Sequence, residues 1–160
     1  MIVYINGAFG IGKTTVAREL VRRLPRAVLY DPEPLGIALQ RITRVDDFQH
    51  LASWRRLTKL AIRVASLVAK HVVVPMAFSN PAYLREVVTR DARHFCLVAQ
   101  YEVVHARLRG SGADAGQWEE RRARECCNVH ARPEFAEQIS AEGGPAEIVE
   151  EILLRLRAAP

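Results

Sequence analysis

The sequence predicts an α/β fold, a parallel sheet with helices on both faces, in one compact domain spanning residues 1–160. Three observations carry that expectation. Short apolar runs alternate with amphipathic stretches along the chain. One of these runs, Val72–Met76, is apolar throughout, as a strand covered on both faces must be. A glycine-rich segment, Gly7–Gly12, stands between the first apolar run and the first amphipathic stretch.

Taken in order, Met1–Ile5 reads as the first strand. A helix follows from Lys13 to about Leu24, with Val16, Leu20 and Leu24 on one face, and Pro25 ends it. Ala27–Tyr30 is a second short strand, closed by Asp31-Pro32. Residues 47–70 form the clearest helix, where Leu57, Ala61, Val64 and Val68 mark an i, i+4, i+7, i+11 stripe and Trp54 reads as core. Asp46 followed by Gln49 resembles a capping box at its start. Val72–Met76 is the third strand. Asn80-Pro81 caps a helix to about Arg90, and His94–Ala99 is the fourth strand.

Beyond it, Tyr101–Arg109 is helical, and Gly110-Ser111-Gly112 forms a joint before a polar segment of helical composition, Asp114–Asn128. Phe135–Ser140 is the weakest strand assignment. The last helix, about Pro145–Arg157, packs Ile148, Val149, Ile152, Leu153 and Leu156 onto the sheet.

Composition excludes several classes. Apolar residues make up 49% and charged residues 26%, an ordinary balance for a soluble globular chain. The three cysteines form neither a disulfide framework nor a zinc-spaced cluster, so a reduced, cytoplasmic chain is expected. The first apolar run is one strand long, too short for a signal peptide, and no stretch approaches the roughly 18 apolar residues of a membrane span. The net charge of +5 comes from scattered arginines without interleaved aromatics, which argues against a nucleic-acid partner.

Gly7-Ala8-Phe9-Gly10-Ile11-Gly12-Lys13-Thr14 satisfies G-x-x-x-x-G-K-[ST] at every fixed position. The glycines permit backbone turns closed to residues with a Cβ, so successive N–H groups converge on one point. That point is a helix N-terminus, which favours an anion. Lys13 adds positive charge for the β- and γ-phosphates, and the Thr14 hydroxyl is suited to Mg²⁺. Residues Gly7 to Thr15 are therefore expected to hold MgATP.

Other P-loop classes lack their signatures here. No N-K-x-D stretch reads guanine, and no D-x-x-G follows the loop. Val72–Met76 and Phe95–Ala99 both end without the acid that motor-type ATPases place there. A small-molecule kinase remains. Asp31, at the end of the second strand, is a candidate to accept an acceptor's proton or to help hold Mg²⁺, and Glu33 is its reserve. Arg107, Arg109, Arg121, Arg122 and Arg124 flank the glycine joint, where a closing lid, about residues 107–128, could bring positive charge to the phosphoryl group. His50, Arg55 and Arg85 read first as solvated surface, and Cys96 as a buried strand residue.

The opening I-N-G-A-F-G-I-G-K-T-T, Tyr30-Asp31-Pro32-Glu33, Asp47-Phe48-Gln49 with Trp54-Arg55, Val74-Pro75-Met76, Asn80-Pro81 and the His94–Leu97 strand together resemble the tunicamycin-resistance family. The resemblance implies a cytosolic ATP-binding protein of the nucleoside and nucleotide kinase-like group, with a five-stranded parallel sheet ordered 2-3-1-4-5. By analogy with similar small kinases, it places Asp31 at the acceptor site and Arg107 with Arg121 in the lid. Residues Pro133–Gly144 depart from the pattern, where the adenine loop would lie. The expected function is transfer of the γ-phosphoryl of MgATP to a hydroxyl of a small acceptor, a nucleoside antibiotic such as tunicamycin among the candidates. The expected catalytic set is Lys13, Asp31, Arg107 and Arg121, and Thr14 with Asp31 forms the metal set. The alternative is an ATP-dependent protein that sequesters an antibiotic or nucleotide without chemistry.

Overall fold

The computed structural model describes residues 1–110, 117–135 and 137–158, and the side chains of 117–119 are left aside. Five strands, β1 (Ile2–Gly7), β2 (Ala27–Leu29), β3 (His71–Met76), β4 (Arg93–Val98) and β5 (Glu137–Ser140), pair in the order β2-β3-β1-β4-β5. Every pairing is parallel. The expected sheet order is the one observed. Around it lie α1 (Lys13–Arg23), α2 (Glu33–Thr43), α3 (Ala52–Val68), α4 (Pro81–Val87), α5 (Tyr101–Gly110), α6 (Gln117–His130) and α7 (Pro145–Ala158).

Side chains of the central strands alternate between two cores, as the period of two requires. Val3 and Ile5 of β1, Val73 of β3 and Phe95 and Leu97 of β4 face a core shared with Val16 and Leu20 of α1 and Ile148 and Ile152 of α7. Tyr4, Val72, Val74 and Cys96 face the opposite core, filled by Trp54 and Ile62 of α3 and Leu84 and Val87 of α4. Each large apolar side chain buried there contributes about 1.5–3 kcal/mol. Among the described residues no helix is long and apolar enough to cross a membrane.

Three local expectations are corrected. Residues 33–43 form a helix that the sequence pattern did not announce, because Pro34 and Gly36 sit in its first turns. Gly36 is there for space: an added Cβ would stand 2.5 Å from Phe48 Cδ2. The predicted helix 47–70 divides into a 3₁₀ turn, Phe48–His50, and α3, and the cap is Asp47 rather than Asp46, its carboxylate accepting from Gln49 N. The stripe Leu57, Val64 and Val68 faces outward, together with Leu60 and Leu67. The helix instead buries Trp54, Arg55, Thr58 and Ile62, because Trp54 anchors the other face through its indole N–H to Pro32 O and its packing on Phe48 and Phe78. The joint residues Ser111 and Gly112, and Asp114–Gly116 of the polar segment, lie outside the described residues.

Candidate active site

The β1–α1 turn has the geometry its glycines demand. Gly10 and Gly12 hold φ of 77° and 104°, where a side chain would strain the backbone. An added Cβ at Gly12 would meet nothing within 4 Å, whereas one at Gly10 would run into the Leu108 side chain. The loop therefore leans on α5 at Gly10 and opens at Gly12, at the N-terminus of α1. The first N–H groups of that helix have no intrahelical acceptor and favour an anion. Ala8 and Ile11 are buried and pin the turn to the core, Phe9 and Thr14 are half-buried, and Thr15 is exposed.

Lys13 is buried, donates to Ala8 O at 2.8 Å, and lies 5.3 Å from the centre of the Phe9 ring. Burial lowers its pKa, against the opposing pull of Glu33 and, more weakly, Asp31. Both carboxylates thus share the field of the P-loop lysine. Burial raises the pKa of Glu33, and Asp31 adds to that rise while Lys13 works against it. Asp31 Oδ1 accepts from Glu33 N at 3.0 Å, so one carboxylate fixes the backbone that carries the other.

A second set of buried groups ties this loop to its surroundings, and no motif announces it. Asn6, fully buried at the end of β1, accepts from Phe78 N at 2.9 Å and donates to Phe78 O at 3.1 Å. His130, at the end of α6, approaches the same carbonyl with Nε2 at 2.7 Å. Since a carbonyl only accepts, Nε2 carries the proton. Burial pushes the pKa of His130 down to about 4, so the ring is neutral. An asparagine followed at once by the P-loop glycine was the one available signal.

Alongside lies a polar cavity of about 430 Å³, lined by residues that include Asp47, Gln49, His50, Tyr83, Arg122 and Glu125. Gln49 also lines a second, nearly closed pocket of about 10 Å³ together with Glu33 and Phe78. Arg122 donates to Ser79 Oγ at 3.2 Å and Glu125 at 3.0 Å, and pairs with Asp47 at 3.4 Å. Arg55, buried rather than solvated, pairs with Glu86 at 2.7 Å, donates to Gln49 O at 2.6 Å, and lies 4.2 Å over Tyr83. His50 reaches the cavity edge-on to Tyr83, and Arg85 is exposed.

The structure separates the arginines of the expected lid. Arg107 donates to Ala141 O at 2.8 Å, Gly143 O at 2.9 Å, Ile11 O at 3.2 Å and Glu142 O at 3.3 Å. It braces the P-loop against the β5–α7 turn with the donors a phosphate would need. Arg121 is exposed on α6, Arg124 lies 4.2 Å over the Tyr101 ring, and Arg122 alone of the three lines the cavity. Cys96 and Cys126 are buried, with thiols pushed up to about 12 and about 11, which leaves neither a nucleophile.

No protein-family model and no curated protein matches the sequence. Solved structures do. The tunicamycin resistance protein of Deinococcus radiodurans superposes with a TM-score of 0.77 at 29% identity, over 99% of this chain and 96% of that one. A sugar kinase from Janibacter sp. gives 0.71 at 16% identity, over 99% and 95%. Shikimate kinase of Aquifex aeolicus gives 0.64 at 21% identity, over 98% and 96%. The fold and the loop define a P-loop protein with the fold of small-molecule kinases. Within that class, the tunicamycin-resistance family suspected from the sequence fits the structure.

Proposed function

We propose that this chain is a phosphotransferase that uses MgATP to phosphorylate a hydroxyl of a small acceptor, with a nucleoside antibiotic such as tunicamycin as the leading candidate. The observation that carries the reading is the placement of Glu33 and Asp31 in the field of the buried P-loop lysine, with Gln49 lining both the pocket at Glu33 and the polar cavity. A sequestering protein would need the phosphate cradle but not that pair of acids. The tunicamycin resistance protein and the kinases among the structural neighbours support the same direction.

The residues present suit magnesium nucleotide. Gly12 leaves open space at the N-terminus of α1, Lys13 stands at its edge, and the Thr14 hydroxyl with the Asp31 carboxylate would hold Mg²⁺. The metal, when bound, offsets charge on the phosphate oxygens. Glu33 is the proposed base, because its raised pKa brings its proton affinity closer to neutral pH. Its carboxylate takes the acceptor's proton as that oxygen bonds to the γ-phosphorus and the bond to the leaving diphosphate oxygen breaks. Lys13 and the loop N–H groups hold the leaving phosphates.

The test is transfer of labelled γ-phosphate to a panel that includes tunicamycin and uridine. Lys13→Ala should reduce transfer by about a thousandfold or more, with loss of nucleotide binding by calorimetry. Undiminished transfer by that variant would overturn the mechanism.

A further inference from the structure

Among the described residues, Arg122 at the polar cavity and Arg55 behind it are both ion-paired. Arg122 is held between Asp47 and Glu125, and Arg55 by Glu86. Of the described charged groups that line the cavity itself, two are carboxylates and one is a guanidinium. Arg122 Nε has no partner among the described residues but is shut away from solvent, so an incoming carboxylate or phosphate would have to break an existing pair to reach the guanidinium's terminal nitrogens. A hydroxyl-rich molecule faces the opposite situation. Asp47 and Glu125 can accept from its hydroxyls, the exposed Asn80 brings an amide, and the His50 ring offers an apolar edge to a sugar or base.

We propose that this cavity takes an uncharged, hydroxyl-rich acceptor, a sugar or nucleoside, in preference to one bearing a carboxylate or phosphate. The inference rests on the acceptor-site reading given above and adds a selection rule to it. Selection is by repulsion as much as by attraction: Asp47 and Glu125 oppose anionic acceptors and at the same time hold the arginine that would otherwise bind them. Glu125 is half-exposed, so its carboxylate can be neutralised with little cost to folding.

The experiment is calorimetric titration of the full chain, loaded with Mg²⁺ and a non-hydrolysable ATP analogue. Two matched pairs serve as probes, uridine against uridine monophosphate and glucose against gluconate. In at least one pair the neutral member should bind about tenfold or more tighter than the anionic one. Glu125→Gln should narrow that ratio severalfold while nucleotide affinity and melting temperature hold, and Asp47→Asn should narrow it too, with nucleotide affinity held and a lower melting temperature because Asp47 pairs with the largely buried Arg122. Tighter binding of the anionic members, a ratio unmoved in both variants, or no binding by any of the four overturns the inference. Uridine or glucose binding without phosphoryl transfer to any acceptor would instead contradict the kinase reading and leave the selection rule standing. Transfer to gluconate or uridine monophosphate alone would do the reverse.

Discussion

Gly7–Thr15 is one continuous stretch from the end of β1 into the first turn of α1, whereas the polar cavity beside it collects Asp47 and Gln49 from a 3₁₀ turn and its cap, Ser79 and Asn80 from the β3–α4 connection, and Arg122 and Glu125 from α6. The first region is fixed by backbone: left-handed glycines, a helix terminus and one lysine. The second is fixed by side chains that hold one another, acid on base. A backbone cradle accepts the phosphates shared by many nucleotides, while a side-chain cavity can be retuned one charge at a time. Substitutions in the two regions should therefore fail differently: those in the cradle remove nucleotide, and those at the cavity change what is phosphorylated or how fast.

The largest effect that sharpens this contrast concerns the two acids between the regions. Glu33→Gln should lower the phosphotransfer rate by about a hundredfold to ten-thousandfold with nucleotide affinity unchanged, as loss of a general base does. Asp31→Asn should weaken Mg²⁺ binding as well as the rate, seen as a raised metal requirement in the same assay. A Glu33→Gln enzyme that retains full rate would move the base to Asp31 and leave the contrast intact.

Next in size are the groups that hold the cradle to its neighbours. Asn6→Ala removes both bonds to the Phe78 backbone in a fully buried setting and should cost about 2–3 kcal/mol in chemical denaturation. Arg107→Met should cost about 1–3 kcal/mol and weaken nucleotide binding, since it frees the β5–α7 turn from Ile11 O. Were Arg107 instead a phosphate ligand, its loss would reduce the rate and leave stability untouched.

The last effect, absent at neutral pH and felt only on acidification, is titration of the buried histidines. His94 and His130 have folded-state values near 4, below the usual 6.5, because burial penalises the charged ring. The unfolded chain binds these protons more readily, so their contribution is complete above about pH 6.5 and is lost as pH falls toward about 4. Each shift corresponds to a loss on the order of 3 kcal/mol, and His94→Gln should flatten the acid limb of a stability profile by about half.

What the sequence disclosed follows the same division. The cradle was legible because its constraints are local: each glycine, the lysine and the threonine sit at fixed spacing within eight residues. The sheet was legible because buried strands are apolar throughout, and β3 is buried end to end. The cavity was not, because Asp47, Ser79 and Arg122 are separated by several elements along the chain and meet only once α3, β3, α4, β4 and α5 are in place. Nor was the buried face of α3, since that helix is apolar on two sides and periodicity alone does not say which side meets the sheet. Trp54, with Thr58 and Ile62 at helical spacing, was the better guide than the longer stripe through Leu57. Arginines were the least informative residues, because a guanidinium serves a carbonyl cluster, an ion pair or a phosphate equally well.

The central claim is that cradle and cavity form one phosphotransfer site, joined by Glu33. The most direct measurement is mass spectrometry of a hydroxyl acceptor after incubation with MgATP, using wild-type protein and Glu33→Gln in parallel. The account predicts one added phosphoryl group with the wild type and little or none with the variant, although both bind nucleotide equally. Binding of nucleotide and acceptor together by the wild type, with no phosphoryl group added to any acceptor, would contradict it.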